Sequence, residues 1–70
     1  MMNAKDIEEL LQRDPFLPFR LFLSNGDRFD ITRSLSVAVG RSGLFIVLPD
    51  DRWKWVPLGH IASVETLQPA

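Results

Sequence analysis

Residues 15–31 have the sequence PFLPFRLFLSNGDRFDI, which is the strongest indication of the fold in this chain. Every second residue is apolar on both sides of Asn25-Gly26, at Phe19, Leu21, Leu23, Phe29 and Ile31. A period of two is typical of a β-strand with one buried face. Asn-Gly between two such runs is the strongest short-range hairpin signal, because a type I′ turn requires positive φ at both central residues. The sequence therefore predicts a tight antiparallel hairpin with strands at 18–24 and 27–33.

A short amphipathic helix precedes the hairpin. Asn3 followed by Asp6 resembles a helix-capping arrangement. The apolar side chains that follow are spaced i, i+3 and i+4 and form one stripe, at Ile7, Leu10 and Leu11. Pro15 disfavours helical geometry in the residue before it. We predict a helix over residues 4–13, which at this length is stable only when its stripe is docked.

The remaining chain predicts further strands. Alternation at Leu35, Val37 and Val39 extends the second strand, bent, to 27–39. Three more strands are expected at 44–48, 52–56 and 61–67. A turn at Gly40–Gly43 precedes the first of them, and its glycines are expected to supply unusual φ values. A turn at Pro49–Asp51 and a short 3₁₀ connector at 57–60 separate the others. Residues 44–48 are all apolar, which predicts a central strand covered on both faces.

Length and composition indicate one small globular domain, residues 1–70. The chain is 46% hydrophobic, with five Phe and two Trp, and has no cysteine to form a disulfide or a thiolate metal site. A chain of this length buries only about 60% of its unfolded surface. Packing, or self-association, must therefore provide the stability.

These elements predict an α+β domain, mainly β. The N-terminal helix is followed by a five-stranded, strongly bent antiparallel sheet or a small SH3-like or Sm-like barrel. Closure into a barrel removes exposed strand edges, and the helix then covers one open end. An open five-stranded sheet with the helix on one face is the alternative.

The motif PFLPFRLFL at residues 15–23 is followed by the Asn25-Gly26 turn. Near the C-terminus lies a mostly apolar segment that ends in a glutamate, IASVE at residues 61–65. In this order the chain resembles a widespread family of small uncharacterised bacterial proteins with a PFxPFRxxLxxG pattern. The resemblance spans nearly the whole chain. It implies no established activity.

The chain also has a looser, architectural resemblance to the Sm-like fold. The resemblance rests on the predicted order of one helix before five strands, and on two segments, Leu23–Gly26 near the start of the strands and Pro57–Ile61 before the last strand. Sm-like proteins form rings and bind RNA through loops after their second and fourth strands. The polar residues expected in the first of these loops are not evident around Ser34–Ser36, and no arginine precedes Gly59. The resemblance implies a fold more than a function.

The charge distribution argues against a strongly basic partner-binding patch. The formal net charge is −1; residues 1–14 carry two basic and four acidic side chains, and the remainder carries six basic and five acidic ones. Nonspecific nucleic-acid binding usually depends on a basic surplus. No apolar run approaches the roughly 18 residues of a transmembrane helix, and Met1–Asp6 does not read as a signal peptide. We expect a cytoplasmic protein that does not bind membranes.

Trp53 and Trp55 form the most suggestive candidate site. Alternation places both indoles on one face and Arg52 and Lys54 on the other. Two large aromatics in a small domain are more often core than surface, so core packing is the favoured interpretation. Binding of a partner or of nucleic-acid bases is the alternative, since tryptophan is enriched in interface hot spots and in stacking platforms.

Phe22 and Arg41 complete the candidate partner-binding residues. Phe22 lies on the outer face of its strand, where it either covers the helix stripe or contacts another chain. Arg41, at the tip of the Gly40–Gly43 turn, is placed to contact an acidic partner. That turn is not a P-loop, because it lacks the Lys-Ser/Thr ending and the following helix.

No constellation for catalysis or metal binding stands out. His60 is the single histidine, and a catalytic base needs a nucleophile and an orienting partner. Asp50 and Asp51 are too few for a calcium cage, and one histidine without cysteine disfavours zinc. We predict no enzyme, no cofactor, no metal and no small-molecule substrate.

The sequence thus predicts a noncatalytic interaction module that self-associates or binds a protein partner. The alternative is a weak RNA-binding Sm-like protein. An enzyme is a third hypothesis, and it requires His60 to lie in a cleft beside an acid or a hydroxyl group.

Overall fold

A computed structural model describes residues 3–67. Within that range the chain forms one α-helix and six β-strands in two three-stranded antiparallel sheets. The elements are α1 Ala4–Leu11, β1 Phe19–Leu23, β2 Arg28–Ile31, β3 Val37–Val39, β4 Gly43–Val47, β5 Trp53–Pro57 and β6 Ile61–Thr66. The first sheet has the order β2-β1-β6, and the second has the order β3-β4-β5. The 3₁₀ connector predicted before the last strand is confirmed at Leu58–His60.

The predicted cap of α1 is confirmed. The Asp6 amide donates to Asn3 Oδ1 at 3.0 Å and the Asn3 amide to Asp6 Oδ2 at 3.2 Å, a reciprocal capping box. Ile7 is fully buried, and the helix ends at Leu11 instead of residue 13. Leu11 is the last residue of the apolar stripe, so a further turn would have nothing to dock. No helix within residues 3–67 is long and apolar enough to cross a membrane.

The first hairpin forms as predicted, but its turn differs. Gly26 has φ 95° whereas Asn25 is not among the positive-φ residues of the described range, so the turn is not type I′. The Gly26 amide donates to Leu23 O at 3.0 Å, and the Leu23 amide donates to Asp27 O at 2.8 Å. This is the three-residue loop in which a left-handed glycine follows a type I turn. Asn25 Oδ1 accepts from the Asp27 amide at 2.9 Å, a local bond that fixes this alternative.

The predicted strand at 27–39 is wrong as one element. It breaks at a 3₁₀ turn, Ser34–Ser36, where the Ser36 amide and Oγ both donate to Arg33 O, at 3.1 and 2.7 Å. Serine side chains compete with strand pairing in this way. The first half becomes β2 and the second half becomes β3 of the other sheet. The count of five strands in one sheet is therefore wrong, and the two sheets of the described chain are not closed into a barrel.

The core combines the inward residues of both sheets with one residue of α1. Its nine buried members are Ile7, Phe19, Leu21, Leu23, Ile31, Leu44, Ile46, Val56 and Ile61. Within residues 3–67 no polar or charged side chain is buried. The alternation read from residues 19–31 thus identifies the inward face of the first sheet correctly, except that Phe29 is only partly buried.

Candidate binding surface

The outer face of the second sheet carries a cluster of exposed large apolar side chains, which we call the aromatic face. Its members, with the exposed fraction of each, are Phe45 (43%), Val47 (51%), Trp53 (66%) and Trp55 (38%). Strand register explains the cluster, because Phe45 pairs with Trp55 and Val47 pairs with Trp53 across β4 and β5. Side chains directly opposite each other in a sheet point to the same face.

The three rings pack against one another at the surface. The Phe45 and Trp53 rings lie edge to face, with centroids 5.3 Å apart and planes at 67°. The Phe45 and Trp55 rings are tilted by 52° at 4.8 Å. Such pairs are worth about 0.5–1.5 kcal/mol each beyond area burial. The aromatic face is therefore a fixed arrangement of rings.

The favoured placement of the tryptophans in the core is wrong. Val56 is the residue of β5 that enters the core, and the period of two then puts Trp53 and Trp55 outside. The prediction that β4 is covered on both faces is wrong for the same reason. Leu44 and Ile46 face the core.

Gly43 fits beneath the indole of Trp55. A Cβ at this position would lie 2.7 and 2.9 Å from ring atoms Cζ2 and Cη2 of Trp55 and 2.5 Å from Val56 O. Neither Gly40 nor Gly43 has a positive φ, so the prediction of unusual backbone angles in this turn is wrong. Gly43 is required by close approach, because a side chain there would overlap both the Trp55 ring and the backbone of β5.

Basic side chains do not contribute to the aromatic face on β5. Lys54 points the other way, with Nζ 5.4 Å from the Phe29 ring centroid and 3.9 Å from Asp27 Oδ2. Arg52 lies just before the strand, and its Nε donates to Asp50 Oδ2 at 2.6 Å. The separation of indoles from Lys54 agrees with the predicted alternation.

The outer face of the first sheet is polar by contrast. Arg20 donates from Nε and Nη2 to the two carboxylate oxygens of its cross-strand partner Asp30, at 2.6 and 3.1 Å. The hydrogen bond from Arg20 lowers the pKa of Asp30 and raises that of Arg20. Arg20 also faces Glu65 on β6. The two outer faces of the molecule thus differ in chemistry.

Phe22 lies half-buried on this polar face, between Arg28 on β2 and Ser63 on β6. It does not cover the helix, because α1 packs against β3 and sends Ile7 into the core. The other interpretation, that Phe22 contacts another chain, stays a prediction.

Arg41 and His60 lie in exposed connections. Arg41 is in the turn before β4, next to the end of the aromatic face at which Trp55 covers Gly43. His60 is exposed in the second 3₁₀ turn, and its carbonyl accepts from the Ser24 amide at 2.8 Å. Among residues 3–67 no three His, Cys, Asp or Glu side chains are grouped as metal ligands.

Two adjoining surface grooves separate β2 from the end of β4. One, of about 470 Å³, is lined by Arg28, Phe29, Leu48 and Pro49 among others, and the other, of about 540 Å³, extends to Leu35. His60 lines neither groove. They are open clefts with mixed lining, unlike the mostly apolar concave pockets of small-molecule sites.

Sequence reasoning missed Phe45 and Val47 as members of the candidate site. The signal was present, because β4 is apolar at every position and a two-layer domain offers only one core face to a strand. Two apolar faces on one strand therefore indicate one face in the core and one at a contact surface. Which face is which depends on the register with β5.

Comparisons with protein-family models, curated proteins and solved structures found no significant match. The resemblances to small bacterial proteins and to Sm-like proteins stay predictions.

Proposed function

We propose that this chain is a noncatalytic interaction module that binds a protein surface, a partner or a second copy, through its aromatic face. The observation that carries the proposal is the exposure of Phe45, Val47, Trp53 and Trp55 together on one sheet face. None of the four belongs to the buried core.

The size and chemistry of the aromatic face suit protein binding. Whole aromatic side chains present about 150–250 Å², so the exposed fractions leave roughly 400 Å² of apolar surface. Contiguous patches of this size on small proteins often mark interaction sites. Tryptophan is enriched among the residues that dominate binding energy. The rings are already held by one another and by Gly43, which lowers the ordering cost of binding.

Capture of partners by matched baits tests the proposal. We expect wild-type protein to retain specific proteins from a nuclease-treated lysate. We expect Trp53→Lys to lose them by at least about tenfold, because it replaces the most exposed ring of the face by a charge. Leu35→Lys is the matched control. Leu35 is 92% exposed, lies outside the aromatic face, and receives the same change from an apolar to a charged side chain.

Retention by the wild type and by Leu35→Lys, together with loss by Trp53→Lys, supports the proposal. Equal capture by all three baits contradicts it, because the aromatic face would then play no part. Partners that disappear on nuclease treatment in all baits point instead to nucleic acid.

Weak RNA binding of the Sm-like type is the second candidate function. It is favoured by three exposed rings on adjacent strands, an arrangement on which bases stack. The opposed position of Lys54 and the pairing of Arg52 with Asp50 count against it. If it is correct, single-stranded RNA affinity falls steeply with salt, because phosphate contacts release counterions. It also falls on Arg41→Ala, whereas salt-independent binding contradicts this alternative.

A further inference from the structure

We infer that the aromatic face binds the same face of a second copy of this chain, in a two-fold symmetric dimer. This inference rests on the proposed function and names the partner. In such an isologous contact each residue of the face meets a residue of the same face, so the face must be compatible with itself.

The aromatic face meets this requirement because none of its four side chains is charged. The nearest cation on β5, Lys54, points to the other side of the sheet toward Asp27 and Phe29. At the end next to Trp53, Arg52 is neutralised by Asp50. Although the exposed Arg41 lies beside the face at its Trp55 end, a two-fold axis through the four side chains opposes rings to rings and only uncharged groups to one another. The polar face of the first sheet, with Arg20, Asp30 and Glu65, does not have this property.

The available area suits a reversible dimer. The roughly 400 Å² of apolar surface per chain gives roughly 800 Å² for two copies. Exposed Ala38 on β3, opposite Phe45, and partly exposed Pro57 on β5 lie beside the four residues and enlarge the contact. The total then approaches the ~1,200 Å² at the lower end of specific interfaces. An interface at this lower end is typical of weak, reversible association.

The small core explains why the partner is a second copy. The described chain has nine buried hydrophobic residues, and the sequence has no cysteine for a disulfide. Domains of this length commonly gain stability from oligomerisation. A second copy is present wherever the chain is, so it supplies this stabilisation at concentrations at which the dimer forms. Face-to-face packing at the usual sheet separation of about 10 Å buries the rings as a second small core.

Sedimentation equilibrium of the purified full chain tests the inference, with protein concentration varied from micromolar to near millimolar. We expect the wild-type mass to rise from one chain to two, with a parallel loss of iodide quenching of tryptophan fluorescence. Trp53→Lys and Val47→Lys each place a charge on the aromatic face and are expected to weaken the dimer at least about tenfold. Leu35→Lys is expected to dimerise like the wild type. Circular dichroism of each variant establishes that it is folded.

A wild type that stays monomeric overturns the inference. If the baits described above still capture a protein that Trp53→Lys loses, the proposed function stands and the partner is a different protein. If no such protein is captured either, the proposed function fails as well. Dimers that form equally in all four proteins overturn the inference, because another surface, such as the free edge of β5, then makes the contact. A mass above two chains also overturns it, since an isologous face is fully used by one partner.

Discussion

Gly43→Ala is expected to lower the free energy of unfolding by about 1–3 kcal/mol, toward the upper end, through overpacking. The added methyl group would lie 2.5 Å from Val56 O and 2.7 Å from the nearest ring carbon of Trp55. The indole can rotate away from the methyl group, but the backbone oxygen can move only with β5. Urea unfolding at low protein concentration measures the effect. Gly59→Ala is the matched control, because a Cβ there meets no atom within 4 Å and the expected change is close to zero.

A double-mutant cycle separates the two contacts of that methyl group. Trp55→Ala removes the ring, so Gly43→Ala should cost less in the Trp55→Ala background than in the wild type. The cost that remains reports the contact with Val56 O. Equal costs in both backgrounds would show that Trp55 does not lie over Gly43, and the geometry of the aromatic face would then be different.

Ile7→Ala is expected to lower the free energy of unfolding by about 2–5 kcal/mol, because it removes a fully buried aliphatic side chain. Ile7 is the only residue of α1 in the buried core, and an eight-residue helix is not stable without docking. Loss of this anchor in a 70-residue domain is expected to leave much of the population unfolded at ambient temperature. Far-UV circular dichroism and urea unfolding measure the change.

Glu8→Ala is the control for Ile7→Ala, since Glu8 is exposed on the same helix. Exposed substitutions of this kind usually change stability by no more than about 0.5 kcal/mol. A small effect of Ile7→Ala, similar to that of Glu8→Ala, would contradict the docking of α1 on the core.

Local patterns predict those parts of the fold whose determinants are close in sequence. The capping box at Asn3, the Asn25-Gly26 hairpin and the Leu58–His60 turn each depend on side chains within a few residues of one another. These elements and the faces that they turn to the core could be predicted directly from the sequence. Even there, the side chain of Asn25 selected a turn different from the one that its residue type most strongly favours.

The break of the second predicted strand and the choice of core face could not be predicted in the same way. The alternation through Val37 and Val39 continues the strand pattern, and only the local bond from Ser36 to Arg33 ends the strand. The division into two sheets follows from that break. A run of alternating residues gives the two faces of a strand but does not say which one meets the core.

The aromatic face is the main consequence of that ambiguity. Trp53, Trp55 and Phe45 are large aromatic side chains, and composition alone favours their placement in the core. The register of β4 with β5 puts Leu44 opposite Val56 inside and the rings outside. The most apolar part of the sequence thus lies partly at the surface, where it is available to another molecule.

Two alanine variants, Trp53→Ala and Ile46→Ala, show whether the fold needs the aromatic face or leaves it available for binding. Trp53→Ala and Ile46→Ala are unfolded in urea at a protein concentration low enough to exclude self-association. We predict a cost of no more than about 1.5 kcal/mol for Trp53→Ala, from its contact with Phe45, and a cost of about 2–5 kcal/mol for Ile46→Ala, from the core. A cost for Trp53→Ala equal to or above that for Ile46→Ala would show that the indole belongs to the core and that the aromatic face is not a free binding surface.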